Sequence, residues 1–489
     1  MINTEFDREY VGYISDNRLL VIADERQLDK VLANLQQEFR IFWLPFQQEM
    51  VTDKGGVEVI STTENSALTG YLGSFSFADN PGLVFDQVLD FSEQPLIKSR
   101  IAPFGYYSVT ENDDLPELLQ QITDGIGEFD KPKYFNWEAE KCAHQRNAVT
   151  GCSRCIEVCA TDAITSEDGR VVINPYLCQG CGDCTSVCPS GAVSYQYPTR
   201  VESLLAIRQK LKHSSAAVLF YSGDLPEMLT HTQQTIHCFE VEGLGSVGLD
   251  ICLNALAFGA SNVLILDSGE LTPETRATIQ TTVVQAREIL TGLGYSEGRV
   301  QFVSAGEWVL SNPPEWDKAS YQPDADKRTA IRMATDFLRQ FSASEQPFCQ
   351  LSEPSAFGTV QVNTAACTLC MACVSGCPAQ ALEAGGEYPQ LKFIEALCVQ
   401  CGICRQTCPE HAIALQPRYY YDSTQARKKQ LLFEEEPFCC IVCQKPFAPA
   451  SMINIILQKL QHHPMFAGNK KQQLMMCEDC KVIKMFDKS

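Results

Sequence analysis

The chain has no run of eighteen or more apolar residues, so no segment is long and greasy enough to span a bilayer as a helix. Its opening residues, Met1 to Asp7, offer neither a basic start nor an apolar core, and a secretory leader is not expected. A twin-arginine export address is missing as well. Basic residues are scarce: 39 Lys and Arg stand against 60 Asp and Glu, a formal net charge of −21. Phosphate recognition needs clustered cations, so nucleic acid is not expected as a partner. The acidic balance suits solubility, and an acidic surface could steer docking onto a basic protein. These absences together predict a cytoplasmic protein. With 489 residues the chain exceeds what one core can organise, and roughly three to five domains are expected.

Cysteine is what the chain has in quantity, 24 in all. An even count invites a disulfide framework, but a long chain without an export signal sits among reductants where thiols persist. Spacing decides. The cleanest run is Cys367-x2-Cys370-x2-Cys373-x3-Cys377-Pro378, followed by Cys398-x2-Cys401-x2-Cys404-x3-Cys408-Pro409. Two-residue spacers let three thiolates of one tight loop reach three irons of a single cube. The fourth cysteine, three residues on, ligates the other cluster of the pair. Cys367, Cys370, Cys373 and Cys408 are thus expected around one [4Fe–4S] cluster, with Cys398, Cys401, Cys404 and Cys377 around its neighbour. Zinc would leave cysteines over and misfit the paired spacing.

An earlier segment repeats the pattern with one departure. Cys178-x2-Cys181-x2-Cys184-x3-Cys188-Pro189 is complete, whereas its partner reads Cys142-x9-Cys152-x2-Cys155-x3-Cys159, with Ala160 where proline is usual. The expected quartets are Cys142, Cys152, Cys155 and Cys188, then Cys178, Cys181, Cys184 and Cys159. The insertion from His144 to Gly151 leaves a three-iron cluster open should Cys142 not ligate. His144 is expected to face solvent. Both cysteine segments resemble the bacterial eight-iron ferredoxins at these positions, and the resemblance implies two βαββαβ units and four clusters. Ile164 and Thr165, a turn at Ser166 to Gly169, and Val171 to Ile173 suit the hairpin of the first unit; Ala381 to Glu383 and Leu391 to Ile394 suit that of the second.

The segments between alternate strand and helix. Near the N-terminus, Leu19 to Ile22 reads as a strand, Leu28, Val31, Leu32, Leu35 and Phe39 as one helix face, and Arg40 to Leu44 as a second strand. Gly70 to Gly73 and Pro103 to Tyr107 read as turns and core aromatics, with an interface as the alternative. From about 201 to 345, buried strands are expected at Ala217 to Tyr221, Ile236 to Val241, Val263 to Leu266 and Val300 to Val303, and Thr272-Pro273 opens a long helix. The expected product is a doubly wound, open, largely parallel sheet with helices on both faces. This segment holds a literal G-x-G-x-x-G, Gly243, Gly245 and Gly248, with Asp267 at the end of the next strand. Such glycines admit a pyrophosphate to a helix N-terminus and such an acid binds ribose, so NAD or flavin is a possible ligand. Glu240 and Glu242 oppose it, and close packing of an apolar helix is the competing reading. Cys238, Cys252 and Cys349 have no ligand spacing and read as buried thiols.

The tail carries Cys440-x2-Cys443 and, thirty-three residues later, Cys477-x2-Cys480, with a helix expected over Ser451 to His462. Two such pairs can present four thiolates tetrahedrally to zinc; a fifth cluster or free thiols are the alternatives, and Cys439 could stand in for Cys440. Glu434 to Glu436 reads as a solvated linker. The architecture expected is therefore multidomain α/β and α+β: 1–130 α/β, 131–200 the first dicluster module, 201–345 doubly wound α/β, 346–418 the second module, and 419–489 the metal-binding tail. The layout resembles cytoplasmic polyferredoxins, and the multi-cluster proteins that accompany bacterial formate dehydrogenases in particular, which implies a redox partner of that kind. A non-catalytic electron carrier is expected. A flavin- or NAD-linked oxidoreductase subunit and an assembly factor for a larger oxidoreductase are the competing functions.

Overall fold

The computed structural model of the chain describes residues 8–46, 55–63, 66–110, 113–146, 148–224, 236–312, 317–386, 388–460 and 470–486; the opening residues Met1 to Asp7 lie outside these. It is a mixed α/β structure with several separate sheets.

In the N-terminal part, Arg18–Ala23 leads into the helix Glu25–Leu35, and Arg40–Pro45 returns parallel to the first strand. Asp24 and Gln27 cap the helix reciprocally, each side chain taking the other residue's backbone N–H, which sets its start. Leu28, Val31 and Leu35 bury against Leu19, Val21 and Ile41. Phe39 belongs to that core but lies beyond the helix end. The sheet grows to five parallel strands in the order Glu58–Val59, Arg40–Pro45, Arg18–Ala23, Gln87–Asp90, Tyr106–Ser108. Its other face, Leu20, Ile22 and Phe42, packs on Phe75, Phe77 and Phe85 of a small antiparallel sheet.

The middle sheet holds the four expected strands, all parallel, in the order Ile236–Glu240, Ala217–Tyr221, Val263–Leu266, Val300–Val303. Helices over one face of this sheet are among the described residues, whereas the connection from Ala217–Tyr221 to Ile236–Glu240 runs through residues 225–235, which lie outside them. Val218, Phe220, Val263 and Ile265 face the helices Arg200–Leu211, Leu249–Ala257, Pro273–Gly292 and Lys327–Arg339. The opposite face, Ala217, Leu219, Leu264 and Leu266, packs instead on Trp308 and carries no described helix. Unbroken apolar runs such as Ala217–Tyr221 and Val263–Leu266 make both faces of the sheet apolar.

The two cysteine segments share one element order. In the first, Phe135–Trp137, the helix Arg154–Val158, the hairpin Ile164–Glu167 with Arg170–Ile173, the helix Asp183–Val187, and Val193–Tyr195 follow one another, the outer strands pairing antiparallel. In the second, Gly358–Val362, Ala372–Ser375, Leu382–Ala384 with Gln390–Phe393, Ile403–Thr407 and Ile413–Tyr420 do the same. The strand Gln430–Glu434 then adds to the second hairpin. Glu434 to Glu436 is consequently not a plain linker: Glu434 accepts from Gln390, and Glu435 accepts from the backbone N–H and hydroxyl of Ser451 at the start of the helix Ala450–Leu460. His462, the expected end of that helix, lies outside the described residues.

Candidate metal centres

The nine-residue spacer between Cys142 and Cys152 does not separate them. Gln145–Arg146 pairs with Val149–Thr150 as a miniature hairpin, and the Cys152 N–H bonds to the Ala143 carbonyl at 3.1 Å. The insertion is extruded and its two ends meet, as in a closed hairpin of any length. His144 is not solvent-facing. It is 4% exposed, with Nδ1 2.9 Å from the Cys152 carbonyl and Nε2 2.7 Å from the Ser166 hydroxyl, so it ties the insert to the module's own hairpin.

The motif cysteines gather in crossed quartets. Cys159 joins Cys178, Cys181 and Cys184 around one cavity. Cys377 joins Cys398, Cys401 and Cys404 around a second, and Cys408 joins Cys367, Cys370 and Cys373 around a third. In the remaining group, Cys155 lies within electrostatic reach of Cys188, Cys152 and Cys142. Left-handed backbone turns the chain between the second and third cysteines of all three complete loops, at Gly182 and Gly402 (each φ 85°) and at Met371 (φ 61°). Glycine takes that conformation without the Cβ penalty.

Burial followed by the neighbouring sulfurs pushes the Cys155 and Cys373 thiols up to about 12, and the Cys401 thiol to about 11. A cage that raises thiol pKa values this way releases protons when a cation arrives to share the charge. Cys188 goes the other way. Burial opposes its thiolate, but Lys327 and the backbone N–H groups of Val193 and Ser190 outweigh it and hold the pKa below the ordinary thiol value. Further donors aim at sulfur: the Ala381 N–H at Cys377 (3.2 Å), the Ala412 N–H at Cys408 (3.3 Å) and the Gln400 amide at Cys398 (3.3 Å).

Four cations that sequence reading missed surround these loops. Lys131 donates to the carbonyls of Tyr176 and Cys178, Arg100 to those of Glu157 and Cys159, and Lys327 to those of Thr185, Ser186 and Cys188. Arg328 donates to Pro189, Ala356, Ala396 and Cys398. Lys131 is buried, Lys327 and Arg328 are half-buried and Arg100 is exposed; a cation held against these carbonyls offsets the negative charge of thiolate-bound metal. No spacing in the sequence marks these residues, because each lies well outside the motif it serves. Tyr71 stacks on Tyr176 with ring centroids 4.2 Å apart, and Lys131 sits over the rings of Tyr13 and Phe104, so part of the aromatic and glycine-rich N-terminal segments lines the seam with the first module.

The glycine loop is also accounted for by packing. A Cβ on Gly243 would lie 2.2 Å from the Gly180 carbonyl, and one on Gly245 only 2.7 Å from that of Cys181. The space a pyrophosphate would need in front of these two glycines is filled by the Cys178–Asp183 loop. Gly248 precedes the buried helix Leu249–Ala257, and Asp267 is ion-paired with Arg276. Of the unassigned thiols, Cys252 is fully buried and Cys238 and Cys349 are half-buried.

In the tail, the sulfurs of Cys440, Cys443, Cys477 and Cys480 all lie within 4.8 Å of one another, with Cys443 and Cys477 at 3.6 Å. A tetrahedral zinc with bonds of about 2.3 Å spaces its sulfurs by about 3.8 Å. Among the described residues this is the set of side chains that converges closely enough for a single metal ion. Cys439 is exposed and outside the set.

Comparison with known proteins agrees with this geometry. Residues 150–192 and 366–412 each match the 4Fe-4S dicluster domain. Both segments are thus similar to iron–sulfur ferredoxin domains, whose function is electron transfer. Fifteen of the sixteen motif cysteines fall inside the matches; Cys142 lies just before the first. The chain is 48% identical over 42 residues to the indolepyruvate oxidoreductase subunit IorA of Methanothermobacter marburgensis, a stretch of 9% of this chain and 7% of that protein. It is 45% identical over 40 residues, 8% of this chain, to 20% of hydrogenase-4 component A of Escherichia coli. A third similarity, 38% over 42 residues or 9% of this chain, covers 54% of the 7Fe ferredoxin of Hydrogenibacillus schlegelii. The chain thus spans about half or less of the length of each. No helix among the described residues is long and apolar enough to cross a membrane.

Proposed function

We propose that this chain carries single electrons through four [4Fe–4S] clusters, two in each ferredoxin module, to or from a partner oxidoreductase. The observation that supports the reading most is the crossing of ligands: in each module the last cysteine of one motif lies with the first three of the other. Bound clusters would supply one-electron chemistry. The protein's own residues hold them in place, shield them from water and set their electrostatics through Arg100, Lys131, Lys327 and Arg328. The hairpin at Gln145–Thr150, which returns Cys152 to Cys142, favours a four-iron over a three-iron occupant in that quartet. The units 1–130, 201–345 and 419–489 act as scaffold and docking surface around the modules, in the cytoplasm.

A zinc ion in the Cys440, Cys443, Cys477 and Cys480 cage would pin the tail. Packing of Gly243 and Gly245 against the cluster loop disfavours the nucleotide-dependent alternative. The partner is a larger oxidoreductase, consistent with the names of two relatives, and formate dehydrogenase is the specific candidate. The test is anaerobic purification from the native host with its partners. A brown protein that bleaches on reduction, co-eluting with a mature oxidoreductase and reoxidised by it, is expected. A colourless protein, or one bound to apo-enzyme alone, overturns the carrier reading, the second outcome in favour of an assembly factor.

A further inference from the structure

The two ferredoxin modules are separated in sequence by the whole middle sheet, yet their loops touch. The helix Ile403–Thr407, between Cys401 and Cys408, packs on the inserted strand Val149–Thr150. A Cβ on Gly151 would fall 2.5 Å from Cγ1 of Ile403, which is fully buried. Gly151 immediately precedes Cys152, and Ile403 lies between Cys401 and Cys404. Two side chains fasten the same seam. Arg154 of the first module donates to the Ser355 carbonyl at 2.6 Å. Arg328, on the helix Lys327–Arg339, reaches the Pro189 carbonyl of the first module at 3.1 Å and the Cys398 carbonyl of the second at 2.8 Å.

We infer that the four metal sites form one continuous series, joined where the loop of Cys152 meets the loop of Cys401, and that the insertion after Cys142 exists to make this junction. The order is the Cys178 quartet, the Cys142 quartet, the Cys398 quartet, then the Cys367 quartet. Adjacency within each module supports it: Cys155 is among the neighbours of Cys184, and Cys373 among those of Cys404, while Cys152 is the first-module sulfur that reaches Cys401. At one end Cys370 is exposed, so the series opens to the surface there. One electron entering at either end leaves at the other; the one-electron donor protein is oxidised by one, the acceptor protein reduced by one, and no bond is made or broken. The inference rests on the four-cluster reading above.

The experiment removes the outer clusters and leaves the facing pair. The double variant Cys181→Ala, Cys370→Ala should keep about eight irons of about sixteen. Its dithionite-reduced paramagnetic resonance spectrum should be broadened by magnetic interaction between the two survivors. About eight irons with two additive, unbroadened signals would overturn the junction while leaving the cluster assignment standing. An unmodified chain without iron would instead overturn the four-cluster reading and the junction with it. Should the double variant not accumulate, Gly151→Leu in the otherwise native chain serves. Pushing Ile403 away should narrow the spectrum at unchanged iron, and an unchanged spectrum would refute the junction.

Discussion

Gly243→Ala separates packing from nucleotide binding more sharply than any other single change. The added Cβ would meet the Gly180 carbonyl oxygen at 2.2 Å and the Cys181 carbonyl oxygen at 2.5 Å, both backbone atoms that cannot swing aside. Ordinary contact begins at 3.4 Å, so one of the two loops must retreat by about 1.2 Å, the difference between 3.4 and 2.2. Overpacking of this kind costs about 1–3 kcal/mol. A site of this sort tolerates displacements of only about 0.5 Å before it loosens. The Cys178 loop supplies three of the four thiolates assigned to its cluster. The expected outcome is loss of about four irons per chain, read by anaerobic iron analysis, with the second module unaffected. Gly298→Ala is the control in the same unit, because its Cβ would find its nearest neighbour at 3.7 Å, and it should retain full iron. Full iron in Gly243→Ala would refute the packing account and return the loop to consideration as a ligand site.

Cys370→Ala should remove about four irons and leave the first module intact, because no ligand assigned to that module comes from the second; loss of all iron would show that the modules assemble only together. Cys443→Ser should abolish zinc binding without changing the iron content, measured by elemental analysis, and zinc retained at one per chain would rule out the Cys440 cage. Reconstitution of the metal-free protein should be pH-dependent. Burial raises the Cys155, Cys373 and Cys401 thiols above their ordinary value, so they are protonated near neutrality and must release protons on ligation. Cluster uptake should therefore be faster near pH 8.5 than near pH 6.5, since each thiol surrenders its proton more readily as pH rises; a rate that falls with pH would contradict the assignment.

The cysteine motifs were legible because a two-residue spacer is a statement about loop geometry, and the strand periodicities because alternation reports burial directly. What escaped was whatever depends on distant partners. His144 looked like a loop histidine, and only the folded insert shows it bonded to Cys152 and Ser166. Arg328 and Lys327 sit in an amphipathic helix pattern like any other, yet they reach carbonyls of both modules. Gly243, Gly245 and Gly248 matched a phosphate motif because close backbone approach is what glycine provides, and the motif does not specify what approaches. Glu435 read as one charge of a run, whereas it bonds to Ser451 at the start of a helix.

Oxygen-free purification followed by analysis of iron and acid-labile sulfide bears most directly on the central claim. Four cubane clusters predict about sixteen irons and about sixteen sulfides per chain, with one zinc besides. Iron without inorganic sulfide, or zinc in place of iron throughout, would contradict it.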